Sequence, residues 1–283
     1  MVKTILKGMV IGIANIIPGV SGGTMAVSMG IYDKLIHAVT HIRKEFKEGL
    51  RFLIPVLIGA AIGLVGLSFI IEVMFDKIPI QTNLLFIGLI VGGLPVITKK
   101  VKGKTISPSQ LVAAVCFFAL VVGLAAIGER EGSAAVIDTG VLSLVKMFFI
   151  GVIAAATMVI PGVSGSMILM ILGYYHSIIT IINDFIRSAL HLDMSGIVNG
   201  AVVLIPFGIG VLLGIALIAK CIDFIFQKYP LHAYWAIIGL IVASPIGIVL
   251  MQYKVFLGID ILSAVTGVAA LVVGVVIARK LGD

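Results

Sequence analysis

Charged residues are scarce in this sequence. Only 12% of its 283 residues are Asp, Glu, Lys or Arg, whereas 60% are hydrophobic and the mean hydropathy is +1.25. Soluble globular domains carry about 25% charged residues, so the composition excludes that class. The charge-free runs 52–71, 78–98, 105–128, 147–183 and 231–253 match or exceed the roughly 20 residues that cross a bilayer as a helix. They lack the alternation of barrel strands, and we expect an all-α polytopic membrane protein.

Residues for metal or acid–base chemistry are also few. The two cysteines, Cys116 and Cys221, lie in or at the end of apolar runs without metal-ligand spacing. The five histidines lie near the ends of runs, where we expect them to act singly, and no pair of carboxylates lies inside a run. We therefore expect no metal site, no cofactor and no enzymatic activity.

The basic residues do not indicate a nucleic-acid partner. The formal net charge is +7, but the lysines and arginines fall in the short gaps between apolar runs. In that position they act as topology signals, because positively charged loops stay in the cytoplasm.

The chain contains an internal repeat. The hexapeptide at 17–22 returns unchanged at 160–165, an offset of 143 residues. Further along the offset is 151, and the segment 88–91 returns at 239–242. Matches on this scale predict two copies of one structural unit, at about 1–133 and 134–283.

Each copy begins with a broken apolar segment, followed by three plain ones. Pro18-Gly19 and Pro161-Gly162 remove backbone hydrogen bonds from the middle of these segments. Irregular backbone persists inside a membrane only where it is buried in protein or lines a cavity. We therefore expect each broken segment to be a re-entrant hairpin. The predicted layout is hairpin 4–41 with spans at about 52–75, 80–98 and 107–128, then hairpin 141–182 with spans at about 197–219, 231–251 and 260–278.

The distribution of basic residues favours this layout. If both broken segments crossed the membrane, the 20 lysines and arginines would divide nine against eleven, which gives no orientation. If both are re-entrant, fifteen share the cytoplasmic side with both termini, as the positive-inside rule requires. The other five are Lys77, Arg130, Lys146, Arg187 and Lys254.

Three spans per copy would invert the second copy relative to the first. Hairpins entering from opposite sides would bring residues 18–24 and 161–166 together near the midplane, where such transporters bind their substrates. The free N–H groups at two helix starts attract anions. The sequence predicts a phosphate or carboxylate site formed by Ser21, Gly22, Gly23, Thr24, Ser164, Gly165 and Ser166.

Simpler interpretations of the same residues stay open. Each Pro-Gly pair can kink a continuous helix, and each serine can bond to its own backbone. Asn15, just before the first break, could reach the site or form a helix–helix hydrogen bond. Glu72 is a minor candidate for ion coupling.

The run Pro18 to Thr24, its echo at Pro161 to Ser166 and the two-copy plan resemble the PopT-type family of polyprenyl-phosphate transporters. The resemblance covers essentially the whole chain. It implies a flippase in the bacterial cytoplasmic membrane that moves undecaprenyl phosphate, the lipid carrier of peptidoglycan synthesis, from the outer to the cytoplasmic leaflet. The second motif departs from the first at Ser166 and Met167, where the first has Gly23 and Thr24.

Two other functions fit the predicted site less closely. A transporter or channel for a small soluble anion would use the same helix starts. A membrane-embedded lipid phosphatase would need catalytic groups that the sequence does not place together. The sequence leaves open the coupling ion, whether proton or sodium, and the oligomeric state.

Overall fold

The fold is helical throughout the part of the chain that the structure describes. The computed structural model describes residues 1–15, 20–127, 135 and 137–282, except for the side chain of Ser68. These ranges contain helices and no strands, which confirms the all-α prediction. A π-helix occupies Ile62–Gly66 and a 3₁₀-helix Tyr253–Phe256. The α-helices in chain order are α1 Val2–Ala14, α2 Gly22–Ser28, α3 Tyr32–Thr40, α4 Phe46–Ala61, α5 Ser68–Lys77, α6 Pro79–Val101, α7 Pro108–Ile127, α8 Val141–Val159, α9 Gly165–Ile171, α10 Tyr175–Leu190, α11 Met194–Lys228, α12 Pro230–Met251 and α13 Ile261–Gly282.

Seven of the described helical segments are long and apolar enough to cross a membrane. They are α4 with its π-helical extension, α6, α7, α8, α11, α12 and α13. The chain is therefore a multi-pass membrane protein. Six of the seven overlap ranges predicted as spans, whereas α8 falls in the first arm of the predicted second hairpin.

The chain forms two compact units. The first comprises Met1–Gly128, Ile160–Val163 and Ala219–Asp283, and the second comprises Glu129–Val159 and Ser164–Ile218. The short piece Ile160–Val163, which carries the second Pro-Gly pair, thus belongs to the first unit.

In the first unit, α1 and α4 are in backbone contact. A Cβ atom on Gly59 would lie 2.0 Å from the carbonyl oxygen of Ile5, and one on Gly63 would lie 2.3 Å from that of Met9. Small residues permit such close approach between membrane helices. Because the contact advances in the same direction along both helices, α1 and α4 run parallel.

In the second unit, α8 and α11 make the equivalent contact. A Cβ atom on Gly210 would lie 2.0 Å from the carbonyl oxygen of Phe148, and one on Gly214 would lie 2.6 Å from that of Val152. These positions follow from those of α1 and α4 by the two sequence offsets, 143 and 151. Thus α8 and α11 also run parallel, and the two copies use the same packing contact.

A third parallel pair, α6 with α13, lies in the first unit. A Cβ atom on Gly88 would lie 2.1 Å from the carbonyl oxygen of Leu271, and one on Gly92 would lie 2.7 Å from that of Val275. Residue numbers again rise together along both helices.

The fourth pair, α7 with α12, is parallel as well. A Cβ atom on Gly239 would lie 2.1 Å from the carbonyl oxygen of Ala114, and one on Gly247 would lie 3.6 Å from the Cβ of Ala125. Each of the last two pairs joins a helix of the first sequence copy to a helix of the second.

Candidate functional site

The first Pro-Gly motif leads into a short buried helix. Ser21 precedes α2 with extended backbone angles (φ −106°, ψ 134°), and α2 is only seven residues long. Ser21 is 5% exposed, yet its hydroxyl oxygen has no hydrogen-bond partner within the part of the chain that the structure describes. A buried polar group without a partner is costly, so this hydroxyl is available to a ligand. Pro18 and Gly19 lie outside the described residues.

The second Pro-Gly pair lies between the end of α8 and the start of α9, where the helix is broken. Gly162 has a positive φ of 78°, a conformation that favours glycine. A side chain there would also meet Val121, since a Cβ atom would lie 3.0 Å from its Cγ2. Ile160 packs against an apolar cluster of the first unit that consists of Val121, Leu240 and Ala243. The break at Pro161 and Gly162 is therefore held by α7 and α12.

A hydrogen bond joins the two motifs. The backbone N–H of Gly162 donates to the Thr24 hydroxyl oxygen at 2.7 Å. Thr24 is 1% exposed, and Gly162 stands two residues before Ser164 in the sequence. The structure therefore brings the first turn of α2 against the second Pro-Gly break.

The second motif continues into α9, in the second unit. Ser164 caps this seven-residue helix, and its hydroxyl oxygen accepts from the backbone N–H of Met167 at 3.5 Å. The hydroxyls of Ser164 and Ser166 are 2.9 Å apart. Unlike Ser21, Ser164 thus has partners of its own. Gly165 is buried, and a Cβ atom there would lie 2.7 Å from Cγ of Met158.

Asn15 and Glu72, the two residues considered for the site or for ion coupling, lie in different environments. Asn15 ends α1, and its side-chain amide lies against Gly22, where a Cβ atom would be 2.7 Å from Nδ2. That Nδ2 donates to the Ile11 carbonyl oxygen at 3.0 Å. Asn15 therefore adjoins the start of α2, while Glu72 is an exposed residue of α5.

The expectation that every histidine acts singly is wrong for one pair. The rings of His37 and His41 stack with centroids 4.2 Å apart and planes 11° apart. Their Nδ1 atoms lie 3.7 Å from Glu45 and 4.0 Å from Asp223, respectively. The spacing of four residues, one helical turn, was the available signal. Within the described ranges, no group of three or more His, Cys, Asp or Glu side chains is arranged to hold a metal ion.

A polar cluster that the sequence did not reveal lies at the start of α3. The Tyr234 hydroxyl donates to Oδ2 of Asp33 at 3.2 Å, and Nζ of Lys100 lies 3.8 Å from the same oxygen. Burial raises the pKa of the neighbouring Tyr32 hydroxyl, and the Asp33 charge raises it further. We refer to Asp33, Lys100 and Tyr234 as the Asp33 cluster. One signal was available in the sequence: Tyr234 takes the position of Asn83 in the repeat, so both copies place a polar residue there.

Comparison with known proteins gives a consistent result. Residues 11–254 match the family described as undecaprenyl phosphate translocase-like. The chain is similar to the polyprenyl-phosphate transporter of Staphylococcus aureus (strain NCTC 8325 / PS 47), with 29% identity over 98% of this chain and 95% of that protein. It is also similar to the polyprenyl-phosphate transporter of Vibrio cholerae serotype O1 (strain ATCC 39315 / El Tor Inaba N16961), with 31% identity over 41% of this chain and 42% of that protein. No solved structure matches the chain significantly.

Proposed function

Because this chain belongs to the undecaprenyl phosphate translocase-like family, we propose that it carries undecaprenyl phosphate from the outer to the cytoplasmic leaflet of a bacterial cytoplasmic membrane. Return of this lipid carrier would let it be reused in cell-envelope synthesis. Both named relatives are polyprenyl-phosphate transporters, which supports a lipid phosphate as the cargo. The apolar tail can stay in the bilayer, so the protein need shelter only the charged head group from hydrocarbon.

Helix direction supports a first hairpin that returns to its own side. Since α1 and α4 run parallel, the chain must travel back between them. Helix α1 has 13 residues, about 20 Å at 1.5 Å per residue, which is short of the roughly 30 Å hydrocarbon core. Helix α2, whose seven residues follow the Pro18-Gly19 motif, then carries the chain back towards the side from which α1 enters. A continuous kinked span would instead make α4 antiparallel to α1.

The same reasoning supports a second hairpin, entering from the opposite side. Helices α8 and α11 run parallel, and α9 meets α10 at a bend of 109°. If α7, α11 and α12 each cross the membrane and the second hairpin returns to its own side, α13 must run in the same direction as α6. The structure has these two helices parallel. A crossing second hairpin would make that pair antiparallel. Each copy then has three spans, so the second is inverted, with both termini in the cytoplasm.

The hydrogen bond between Gly162 and Thr24 is the observation that carries the site. It supports the proposed site because it holds the first turn of α2 against the second Pro-Gly break, and each motif ends at the free N–H groups of a helix start. The buried, unpaired hydroxyl of Ser21 is suited to donate to a phosphate oxygen. We assign the head group to Ser21, Gly22, Gly23, Thr24, Ser164, Gly165 and Ser166.

Competition in proteoliposomes tests the cargo. Transport of a labelled long-chain prenyl phosphate should be blocked by unlabelled long-chain prenyl phosphate. Short-chain prenyl phosphates and inorganic phosphate should compete at least about tenfold less well, because a long tail concentrates the competitor in the bilayer, by about 0.8 kcal/mol for each CH₂ buried there. Equal competition by inorganic phosphate or chloride would indicate a transporter of small anions, and release of inorganic phosphate would indicate a phosphatase. Protein-free liposomes are the control.

A further inference from the structure

The base of the first hairpin is attached to helices from both sequence copies. Helix α2 ends at Ser28 and α3 begins at Tyr32, so Asp33 lies where the hairpin leaves the membrane in the proposed topology. Asp33 binds Lys100 near the end of α6 and Tyr234 near the start of α12. All three residues belong to the first compact unit.

Aromatic contacts reinforce the attachment. The ring of Phe226, near the end of α11, lies 6.4 Å from that of Tyr32 and 5.3 Å from that of Tyr234. The ammonium of Lys100 lies 5.9 Å from the centre of the Tyr234 ring, within reach of a cation–π contact. Helix α3 is thereby held to α6, α11 and α12 at one end of the unit.

The ion pair in this attachment is partly exposed to solvent. The side chains of Asp33 and Lys100 are 40% and 51% exposed, and exposed ion pairs contribute little stability. Oδ1 of Asp33 is buried and has no hydrogen-bond partner among the residues that the structure describes, so the carboxylate leaves part of its bonding capacity unused there. A contact of this kind can separate without unfolding the spans around it.

We propose that the Asp33 cluster is a lock that keeps the first hairpin closed towards the cytoplasm, and that Asp33 is the residue positioning the hairpin base. Separation of Asp33 from Tyr234 and Lys100 frees α3 and α2 to move and exposes the site at Ser21 to the cytoplasmic leaflet. This inference rests on the proposed function for the cargo and the topology, and on the observed contacts for the lock.

Thiol accessibility tests the lock without a transport assay. In a background with Cys116→Ser and Cys221→Ser, a Ser21→Cys variant is labelled in inside-out vesicles with a membrane-impermeant maleimide. Tyr234→Phe removes one hydroxyl and keeps the ring contacts. Both this variant and Asp33→Ala should raise the labelling rate roughly fivefold or more, the usual size of a coupling between two conformations. Tyr253→Phe, at an exposed tyrosine, should leave the rate unchanged.

A charge swap separates a lock from a general loss of packing. Asp33→Lys combined with Lys100→Asp restores an ion pair and should return the labelling rate towards that of the parent, which a packing defect would not do. Equal labelling in the parent, Tyr234→Phe and Asp33→Ala proteins would overturn the proposal, as would a swap that labels as fast as Asp33→Ala. Failure of prenyl phosphates to compete for transport would reject the cargo while leaving this result intact.

Discussion

Thr24 and Gly162 are hydrogen-bonded at 2.7 Å although 138 residues separate them in the chain. The side chain in the first motif accepts, and the backbone in the second motif donates. Met167 occupies the position of Thr24 in the second copy and has no hydroxyl to return the contact. The link between the motifs is therefore asymmetric, which gives a structural reason for one of the two departures of the second motif from the first.

Replacing Thr24 with valine should weaken both the fold and transport. Valine has a similar shape but no acceptor, so it leaves the N–H of Gly162 unpaired at a cost of about 1–3 kcal/mol. We expect a lower melting temperature in detergent and at least about tenfold slower lipid transport. Thr24→Ser keeps the hydroxyl and is the matched control. Equal melting and transport in the valine and serine variants would show that the bond is dispensable.

Replacing Ser21 with alanine should separate binding from stability. The Ser21 hydroxyl has no hydrogen-bond partner among the described residues, so its removal should leave the free energy of unfolding unchanged or slightly raised. Affinity for prenyl phosphate should nevertheless fall. Ser28, at the other end of α2, has a buried hydroxyl that is likewise without a partner in the described ranges, and Ser28→Ala should change neither property. Titration of labelled lipid and thermal unfolding measure the two effects, and unaltered affinity in Ser21→Ala would remove this hydroxyl from the site.

Replacing Ser164 with alanine should destabilise the protein, in contrast to Ser21→Ala. Its hydroxyl caps α9, and loss of a serine cap costs about 1 kcal/mol. Differential scanning fluorimetry of the two variants side by side tests the difference. A Ser164→Ala protein with the same melting temperature as the wild type would argue against a stabilising role for the cap.

Replacing Gly210 with alanine should disrupt the contact between α8 and α11. The added Cβ would lie 2.0 Å from the Phe148 carbonyl oxygen, and overpacking of this kind costs about 1–3 kcal/mol. Gly208, in the same helix, has no heavy atom within 4 Å of the corresponding position. Gly208→Ala should therefore be neutral or stabilising by up to about 1 kcal/mol. Thermal unfolding that ranks the two variants in the opposite order would contradict the helix contact.

Single cysteines at Lys44, Lys102, Glu131 and Asp193 should report the proposed topology. The first two should react with impermeant reagents only from the cytoplasmic side, and the last two only from outside. Labelling is measured in intact cells and in inside-out vesicles from a background lacking Cys116 and Cys221. Reaction of positions 44 and 102 from opposite sides would eliminate the re-entrant arrangement.

Helical content and the equivalence of positions in the two copies could be predicted from sequence. Long apolar runs have few alternatives in a membrane, and the repeat links the positions of Gly59 and Gly63 to those of Gly210 and Gly214. The pairing of α6 with α13 could not be predicted in this way. It joins the two copies, and a repeat shows which residues are equivalent without showing which residues touch.

The candidate site was only partly visible in the sequence. The motifs identified Ser21 and Ser164, but not that one hydroxyl is unpaired and the other caps a helix, because hydrogen bonding depends on the local backbone. The Asp33 cluster joins three helices that are distant in the chain, and no motif marks it. The stacking of His37 on His41 follows a helical spacing and could have been predicted.

Translocation by a variant altered in both motifs tests the central claim most directly. Proteoliposomes with undecaprenyl phosphate labelled in one leaflet are made with wild-type protein, with Ser28→Ala as control and with Ser21→Ala combined with Ser164→Ala. Head-group transfer between leaflets should be fast for the wild type and the control and near the protein-free rate for the double variant. Wild-type transfer by a folded double variant would contradict a phosphate site at the two motifs.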